Sequence, residues 1–265
     1  MNPRTVLITG ASSGIGEAFA EVFAANGFNL VLTARREDRL HAVAARLESR
    51  FGIRAHVVRA DLFDPAAPGV LWRAIAERGL TIDALVNNAG YGIPGAYTAS
   101  AWPRHAALLQ VMVVAVAELT HLALPGMVAR GYGRIINVAS LAALVPAPAG
   151  HTLYAATKAF VIKFSESLAG EVHASGVHVT ALCPGFTRSE FHDVTGTRAK
   201  VSQLPSWMWL DAAAVAREGF AAVSAARAVF VVGRVNRTIA LLARLLPRRA
   251  LVALGRRAAP RFRRS

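Results

Sequence analysis

Short runs of apolar and β-branched residues alternate along the chain with longer stretches whose apolar positions recur at helical spacing. The runs are Thr5–Thr9, Asn29–Thr33, Ala55–Ala60, Ile82–Val86, Arg134–Ala139, Val177–Leu182 and Ala228–Val232. They are apolar on consecutive positions rather than on every second one, the pattern of strands buried on both faces. Strand and helix in repeated succession predict an α/β fold, a doubly wound parallel sheet with helices on both sides. At 265 residues the chain has the size of one α/β domain, and its 54% hydrophobic content suits a sheet covered on both faces. No internal repeat or low-complexity linker interrupts it.

The first run leads into Gly10-Ala-Ser12-Ser13-Gly14-Ile15-Gly16, and a helical pattern follows through Ala25. Strand, glycine turn and helix in this order make a phosphate cradle. The glycines permit a tight turn and close backbone approach, and the helix N-terminus offers unpaired N–H groups and a positive dipole end. A glycine motif alone is a weak signal, but here both flanking elements are present. The second strand ends at Ala34-Arg35-Arg36, where an acid would hold a ribose 2′-hydroxyl and an arginine suits a 2′-phosphate. This predicts NADP(H) rather than NAD(H), against the plainer reading of Arg35 and Arg36 as solvated charges. Glu37 and Asp38 follow as first-turn acids of the next helix. Polar punctuation also closes the third strand, at Asp61-Leu62, and the fourth, at Asn87-Asn88-Ala89-Gly90. These lie at the strand C-termini, where open parallel sheets bind ligands.

Tyr154 and Lys158 stand four apart, one turn along one helical face. A phenol ionises near about pH 10, and an ammonium held close by is expected to lower that value, giving an acid/base pair for an alcohol or alkoxide. Such a pair also arises by chance on amphipathic helices, so its weight comes from the nucleotide end.

With these residues in view, the chain resembles the classical short-chain dehydrogenase/reductase (SDR) family, from about Thr5 to Gly233. The family's Thr-Gly-x-x-x-Gly-x-Gly matches Thr9 to Gly16, its Asn-Asn-Ala-Gly matches Asn87 to Gly90, and its Tyr-x-x-x-Lys matches Tyr154 and Lys158. Its active-site serine matches Ser140, and a Pro-Gly after the sixth strand matches Pro184-Gly185. The resemblance implies a Rossmann fold in which Tyr154 is the general acid/base. Lys158 lowers its pKa and holds the nicotinamide ribose, and Ser140 hydrogen-bonds the substrate oxygen. Asp61 reaches the adenine, Asn88 lines the cofactor cleft, and Pro184 to Thr187 cover the nicotinamide. It implies hydride transfer between NADP(H) and a carbonyl or secondary alcohol, and a homodimer or homotetramer.

The chain departs from the family pattern in two places. Met112 falls where many members carry an asparagine that supports a proton-relay water, and a thioether cannot organise that water. Gln110, two residues away, is on the wrong face to replace it. The Ser140–Tyr154 spacing is one residue longer than the commonest, with Pro146-Ala-Pro148-Ala-Gly150-His151 between. Met112 keeps a second reading open: a nucleotide-binding regulatory or scaffold protein with little turnover.

The stretch between Phe186 and Asp211 is expected to shape an apolar substrate pocket through Phe191, His192, Leu204, Trp207, Met208 and Trp209. Such a pocket points to a hydrophobic ketone, 3-oxoacyl or steroid-like. Cys183, the single cysteine, ends an apolar run and reads as an inert core residue rather than a nucleophile. Lacking a disulfide, the chain fits a cytoplasmic setting. No metal site is expected, because the eight histidines show no ligand spacing. A strand beginning at Thr5 leaves no room for a signal peptide. The apolar helix of about Ala106–Ala129 is broken by Glu118, His121 and Pro125, a poor membrane span. Its apolarity suggests, by analogy, an oligomer contact.

The net charge is +14, and between Gly219 and Ser265 there are eleven arginines and no Asp or Glu. Residues 1–233 therefore read as the catalytic domain and 234–265 as a basic amphipathic extension. The extension fits peripheral contact with an anionic membrane, attraction of an acidic acyl carrier, or a pocket-closing helix with solvated arginines. Nucleic-acid binding is not expected, since no reading motif accompanies the charge.

Overall fold

The computed structural model describes residues 3–146, 150, 152–191, 195–196, 202, 204–247 and 249. The strands are β1 (Thr5–Thr9), β2 (Asn29–Thr33), β3 (Ala55–Val57), β4 (Ala84–Asn87), β5 (Gly133–Val138), β6 (Val177–Cys183), β7 (Thr187–Arg188), β8 (Leu210–Asp211) and β9 (Val229–Val231). Seven of them form one parallel sheet in the order β3-β2-β1-β4-β5-β6-β9, and β7 and β8 pair separately. The helices are α1 (Gly14–Ala25), α2 (Glu37–Phe51), α3 (Ala67–Glu77), α4 (Trp102–Leu109), α5 (Ala115–Ala129), α6 (Thr152–Glu171), α7 (Ala212–Ser224) and α8 (Arg234–Leu245).

Both faces of the sheet are covered, which is why its strands are apolar on consecutive positions. In β1 the side chains of Val6 and Ile8 pack into one core with Phe19 and Phe23 of α1, Leu40 of α2 and Val215 of α7. Leu7, pointing the opposite way, joins Leu71 of α3, Leu119 of α5 and Leu168 of α6 in the other. Phe23 anchors the first core, its ring edge-on to Phe28 at 5.1 Å and to Phe220 at 5.0 Å. Burying each such side chain contributes about 1.5–3 kcal/mol.

Most strands fall within two residues of the expected bounds, and two elements differ by more. β3 stops at Val57 rather than Ala60, although backbone bonds from Val58 to Leu32 and from Ala60 to Ala34 keep that segment beside β2. The apolar helix begins at Trp102, not Ala106, with Pro103 in its first turn where a missing N–H is harmless. It continues through Pro125, since Ala123 and Met127 on either side are buried against the sheet and that packing outweighs one lost backbone bond. Between α4 and α5 it widens into a π turn, Gln110–Val114, where the Ala115 N–H reaches back to the Gln110 carbonyl. By length and composition Trp102–Ala129 could cross a membrane. Its buried residues Leu108, Met112, Leu119 and Met127 explain that apolarity by packing in the fold.

The chain runs outward in opposite directions from β1 and β4, which are neighbours. Their C-terminal ends therefore open a crevice, and the segments leaving β1, β2, β4, β5 and β6 all converge on it.

Candidate active site

A cleft of about 650 Å³ occupies this crevice. Gly10, Ser12, Ser13, Gly14, Ile15, Arg35, Arg36, Asp61, Leu62, Asn88, Ala89 and Gly90 line one part of it. Ser140, Tyr154, Lys158, Pro184, Gly185 and Thr187 line the rest. Gly16 alone of the predicted set does not line it. A Cβ on Gly16 would stand 2.2 Å from the Gly10 carbonyl oxygen, so this glycine lets α1 close onto the turn rather than meeting a ligand. Gly10 and Gly14 have φ of +66° and +61°, which side-chain-bearing residues rarely adopt.

Asn88 is both a wall of the cleft and a brace for the turn. Its Nδ2 donates to the carbonyl oxygens of Thr9 and Gly10, at 3.0 and 3.3 Å, and its N–H donates to Thr9 Oγ1 at 3.0 Å. Behind it, Asn87 Nδ2 donates to Asn137 Oδ1 at 2.8 Å and to Thr120 Oγ1 at 3.1 Å, and Asn137 Nδ2 donates to Ser165 Oγ at 3.0 Å. This buried network joins β4, β5, α5 and α6, with its polar atoms paired as burial demands.

The two arginines after β2 diverge. Arg36 donates from Nε and Nη2 to Ser12 Oγ, at 3.3 and 3.1 Å, and from Nη2 to Ser13 Oγ at 2.9 Å. The guanidinium is thus set beside the glycine turn. Arg35 turns away to lie over the Phe63 ring, 5.0 Å from its centroid. Asp61 accepts the Phe63 N–H at 3.2 Å.

At the other end of the cleft Tyr154 and Ser140 line the same wall, and the Ser140 hydroxyl is near enough to draw the Tyr154 phenol downward. Ser140, just past β5, also caps a short 3₁₀ turn by accepting the Ala142 N–H at 3.1 Å. The longer Ser140–Tyr154 spacing does not separate the pair. Lys158 meets the same region but differs from expectation. Its Nζ donates to the Val138 carbonyl oxygen at 2.6 Å and lies 5.9 Å from the Tyr154 ring centroid. The Tyr154 phenol is pushed above its ordinary value by burial and pulled down by Ser140. The anticipated lowering by Lys158 is therefore absent: the ammonium is engaged elsewhere, and burial holds it down at about 8. A protonated phenol beside a hydroxyl, over a buried cation, is arranged to give a proton to an oxygen placed between Tyr154 and Ser140.

Met112 is 1% exposed, lies in the π turn and lines the cleft with Val111, whereas Gln110 does not reach it. π turns recur at functional sites. Of the residues expected to shape the substrate end, Phe191 does so, its ring 5.7 Å from that of Tyr154. Leu204, Trp207, Met208 and Trp209 do not line the cleft. Trp207 is 62% exposed and Trp209 packs on Phe186, because β8 pairs with β7 and holds this segment outside. His151 and His192 lie outside the described residues. Sequence reasoning missed Phe63, Tyr91, Leu141, Val145, Glu190 and Thr195, all of them lining residues on loops with no periodicity to flag them. Cys183 is buried, and burial pushes its thiol up to about 12, so it is no nucleophile at neutral pH.

A doubly wound sheet, a glycine turn at its switch point and a Tyr–Lys–Ser cluster at its C-terminal edge define a nucleotide-dependent oxidoreductase. The family model for short chain dehydrogenases matches residues 4–199. The oxidoreductase UcpA of Escherichia coli K12 is 37% identical over 186 residues, 70% of either chain. A sulfoacetaldehyde reductase of Chromohalobacter salexigens is 37% identical over 188 residues, 70% of this chain and 73% of that one. Among solved structures, a short-chain dehydrogenase from Sphingobium yanoikuyae in complex with NADPH superposes with a TM-score of 0.80 at 32% identity, covering 94% of this chain and 95% of that one. A 7beta-hydroxysteroid dehydrogenase gives 0.85 at 26% identity, covering 95% and 96%. The chain belongs to the short-chain dehydrogenase/reductase family, oxidoreductases of alcohol and carbonyl groups that use a nicotinamide cofactor. The residues present fit that cofactor: the turn leaves no Cβ at Gly10 or Gly14, and the cleft runs unbroken from Arg36 to Tyr154.

Proposed function

We propose that the protein is an NADP(H)-dependent, cytoplasmic reductase of a hydrophobic ketone, 3-oxoacyl or steroid-like. The observation that carries the reading is the Tyr154–Ser140 pair at the end of a cleft whose other end holds Arg36 braced by Ser12 and Ser13. When bound, the nicotinamide supplies hydride to the carbonyl carbon. Ser140 and Tyr154 hold the carbonyl oxygen, and Tyr154 protonates it as negative charge develops there. The Lys158 ammonium stabilises that charge from below. Phe191, Leu141, Val145 and Tyr91 exclude water and favour an apolar substrate. The NADPH of the Sphingobium complex supports the cofactor, and a neighbour that is a hydroxysteroid dehydrogenase supports the substrate class.

The test is NADPH consumption by the purified protein against aldehydes, bulky ketones and 3-oxoacyl thioesters, with Tyr154→Phe beside it. Loss of turnover on the order of 10²–10⁴-fold in the variant, with NADPH binding kept, is expected. Tight NADPH binding without turnover on any carbonyl would instead favour the regulatory or scaffold reading, for which Met112 is the motive.

We also infer a peripheral lipid contact for α8. Leu241, Leu242, Leu245 and Leu246 are exposed beside Arg234 and Arg244, while Asn236 and Ala243 form the buried side. An apolar stripe bordered by arginines suits an anionic membrane surface. Residues 250–265, the rest of the basic extension, lie outside the described residues. Co-sedimentation with anionic but not neutral vesicles, reduced in Leu241→Glu/Leu245→Glu, is the expected result; equal sedimentation would sink this reading. A homodimer or homotetramer remains the expected assembly, read by light scattering.

A further inference from the structure

Glu190 sits in the segment after β7, far in sequence from the glycine turn, yet its carboxylate is bound into the nucleotide end of the cleft. Arg36 Nη1 donates to Glu190 Oε2 at 2.8 Å, and Arg39 of α2 donates to Oε1. The Ser13 hydroxyl also draws the same carboxyl down. These donors hold the Glu190 carboxyl down at about 2, so it is charged throughout the neutral range. The remaining donors of Arg36 that the structure shows in use, Nε and Nη2, go to Ser12 and Ser13. Arg36 is therefore oriented by the glycine turn and presents Nη1 to an anion, and the anion it meets belongs to the protein itself.

The segment carrying Glu190 touches both ends of the cleft. A Cβ on Gly14 would stand 2.9 Å from Ser189 Cβ, so Ser189 rests on the phosphate turn. Phe191, the residue after Glu190, packs its ring on Tyr154. Thr195, whose N–H and hydroxyl both bond the Phe191 carbonyl, stands within 3.4 Å of a Cβ placed on Gly92. Ser189, Glu190 and Phe191 thus reach from the phosphate turn and Arg36 to Tyr154.

We infer that Glu190 is an internal competitor for the cofactor's 2′-phosphate, so that NADP(H) must displace Glu190 from Arg36. A phosphate monoester carries about −1.5 to −2 charges at neutral pH and needs the donors that Glu190 now holds. Two anions at contact distance repel, so the carboxylate leaves when the phosphate arrives. A ribose 2′-hydroxyl carries no charge and can donate to the carboxylate, so NAD(H) requires no such release. Glu190 is on this account a specificity-determining residue: it weakens the binding of the phosphorylated cofactor selectively.

The inference rests on Arg36 being the 2′-phosphate site, and the test separates the two. Calorimetric or fluorescence titration of the full chain with NADPH, NADH, 2′,5′-ADP and 5′-ADP is compared for wild type, Glu190→Gln, Glu190→Ala and Arg36→Ala. Both Glu190 variants are expected to bind NADPH and 2′,5′-ADP about tenfold more tightly, with NADH and 5′-ADP changed less than about twofold. Arg36→Ala is expected to lose the preference for the 2′-phosphate. Unchanged or weaker NADPH binding in both Glu190 variants, with the preference still lost in Arg36→Ala, overturns the competitor and leaves the cofactor reading standing. A preference that survives Arg36→Ala removes the phosphate site and the competitor with it. Wild type that favours NADH but turns to NADPH in Glu190→Gln upholds the competitor while correcting the cofactor.

Discussion

Lys158 Nζ donates a 2.6 Å hydrogen bond to the carbonyl oxygen of Val138, the last residue of β5. The bond ties α6 to the sheet one helical turn from Tyr154. It also fixes a largely buried cation at the wall of the cleft, where Lys158 is 6% exposed.

That burial has a stability consequence. The Lys158 ammonium falls from its ordinary 10.5 to about 8 in the folded protein. Between those values the unfolded chain binds more protons than the folded one, so stability from this group rises with pH across the window and is lowest below pH 8. Lys158→Met is expected to be the more stable protein at pH 7. Its lead over wild type should shrink by about 3 kcal/mol between pH 7 and 10.5. Urea unfolding at the two pH values checks this, and a constant difference would mean the ammonium is not penalised by burial.

Ser140 pulls the Tyr154 phenol downward. Ser140→Ala should lower kcat for ketone reduction on the order of 10²-fold, by loss of the hydroxyl that shares the substrate oxygen. In the alcohol-oxidising direction, where the phenolate is needed, the variant's pH profile should move to higher pH. A fall in kcat with an unmoved profile would leave Ser140 a substrate contact only.

Gly16→Ala should damage the nucleotide end without touching a ligand, because the new Cβ would meet the Gly10 carbonyl oxygen at 2.2 Å and Asn88 Nδ2 at 2.6 Å. Dinucleotide binding should be lost together with thermal stability. Gly170→Ala in α6 is the control: nothing stands within 4 Å of its added Cβ. It should gain about 0.5–1 kcal/mol as an ordinary helix substitution. Melting curves with and without NADPH distinguish the two.

Phe191→Ala removes the ring that lies 5.7 Å from Tyr154. The expected outcome is a rise in KM of about tenfold for bulky apolar ketones and little change for small aldehydes, as a lost apolar wall costs about 1–3 kcal/mol of discrimination. An equal effect on both classes would show a general loss of order instead.

The parallel sheet could be read from the chain because its evidence is local. Uniformly apolar strands report burial on two faces, and the turn from Thr9 to Gly16 is marked by its own glycines and the helix that follows. The same holds for Tyr154 and Lys158, whose common face is set by helical spacing, and for Ser12 and Ser13 in the turn. The partners of these groups were not legible. Lys158 ends on Val138, 20 residues away, and Arg36 on Glu190, 154 residues away. Nothing in the neighbourhood of Glu190 marks it as facing the nucleotide end, and the aromatic composition around Trp207 and Trp209 pointed toward a pocket those residues do not line. Strand order and crossovers bring the ends of β2, β5 and β6 to one edge, and only that juxtaposition determines which charges meet. Element type and motif chemistry follow from the spacing of neighbouring residues. The pairing of Lys158, Arg36 and Phe191 with their partners follows from packing between segments distant in the chain, and no local period encodes it.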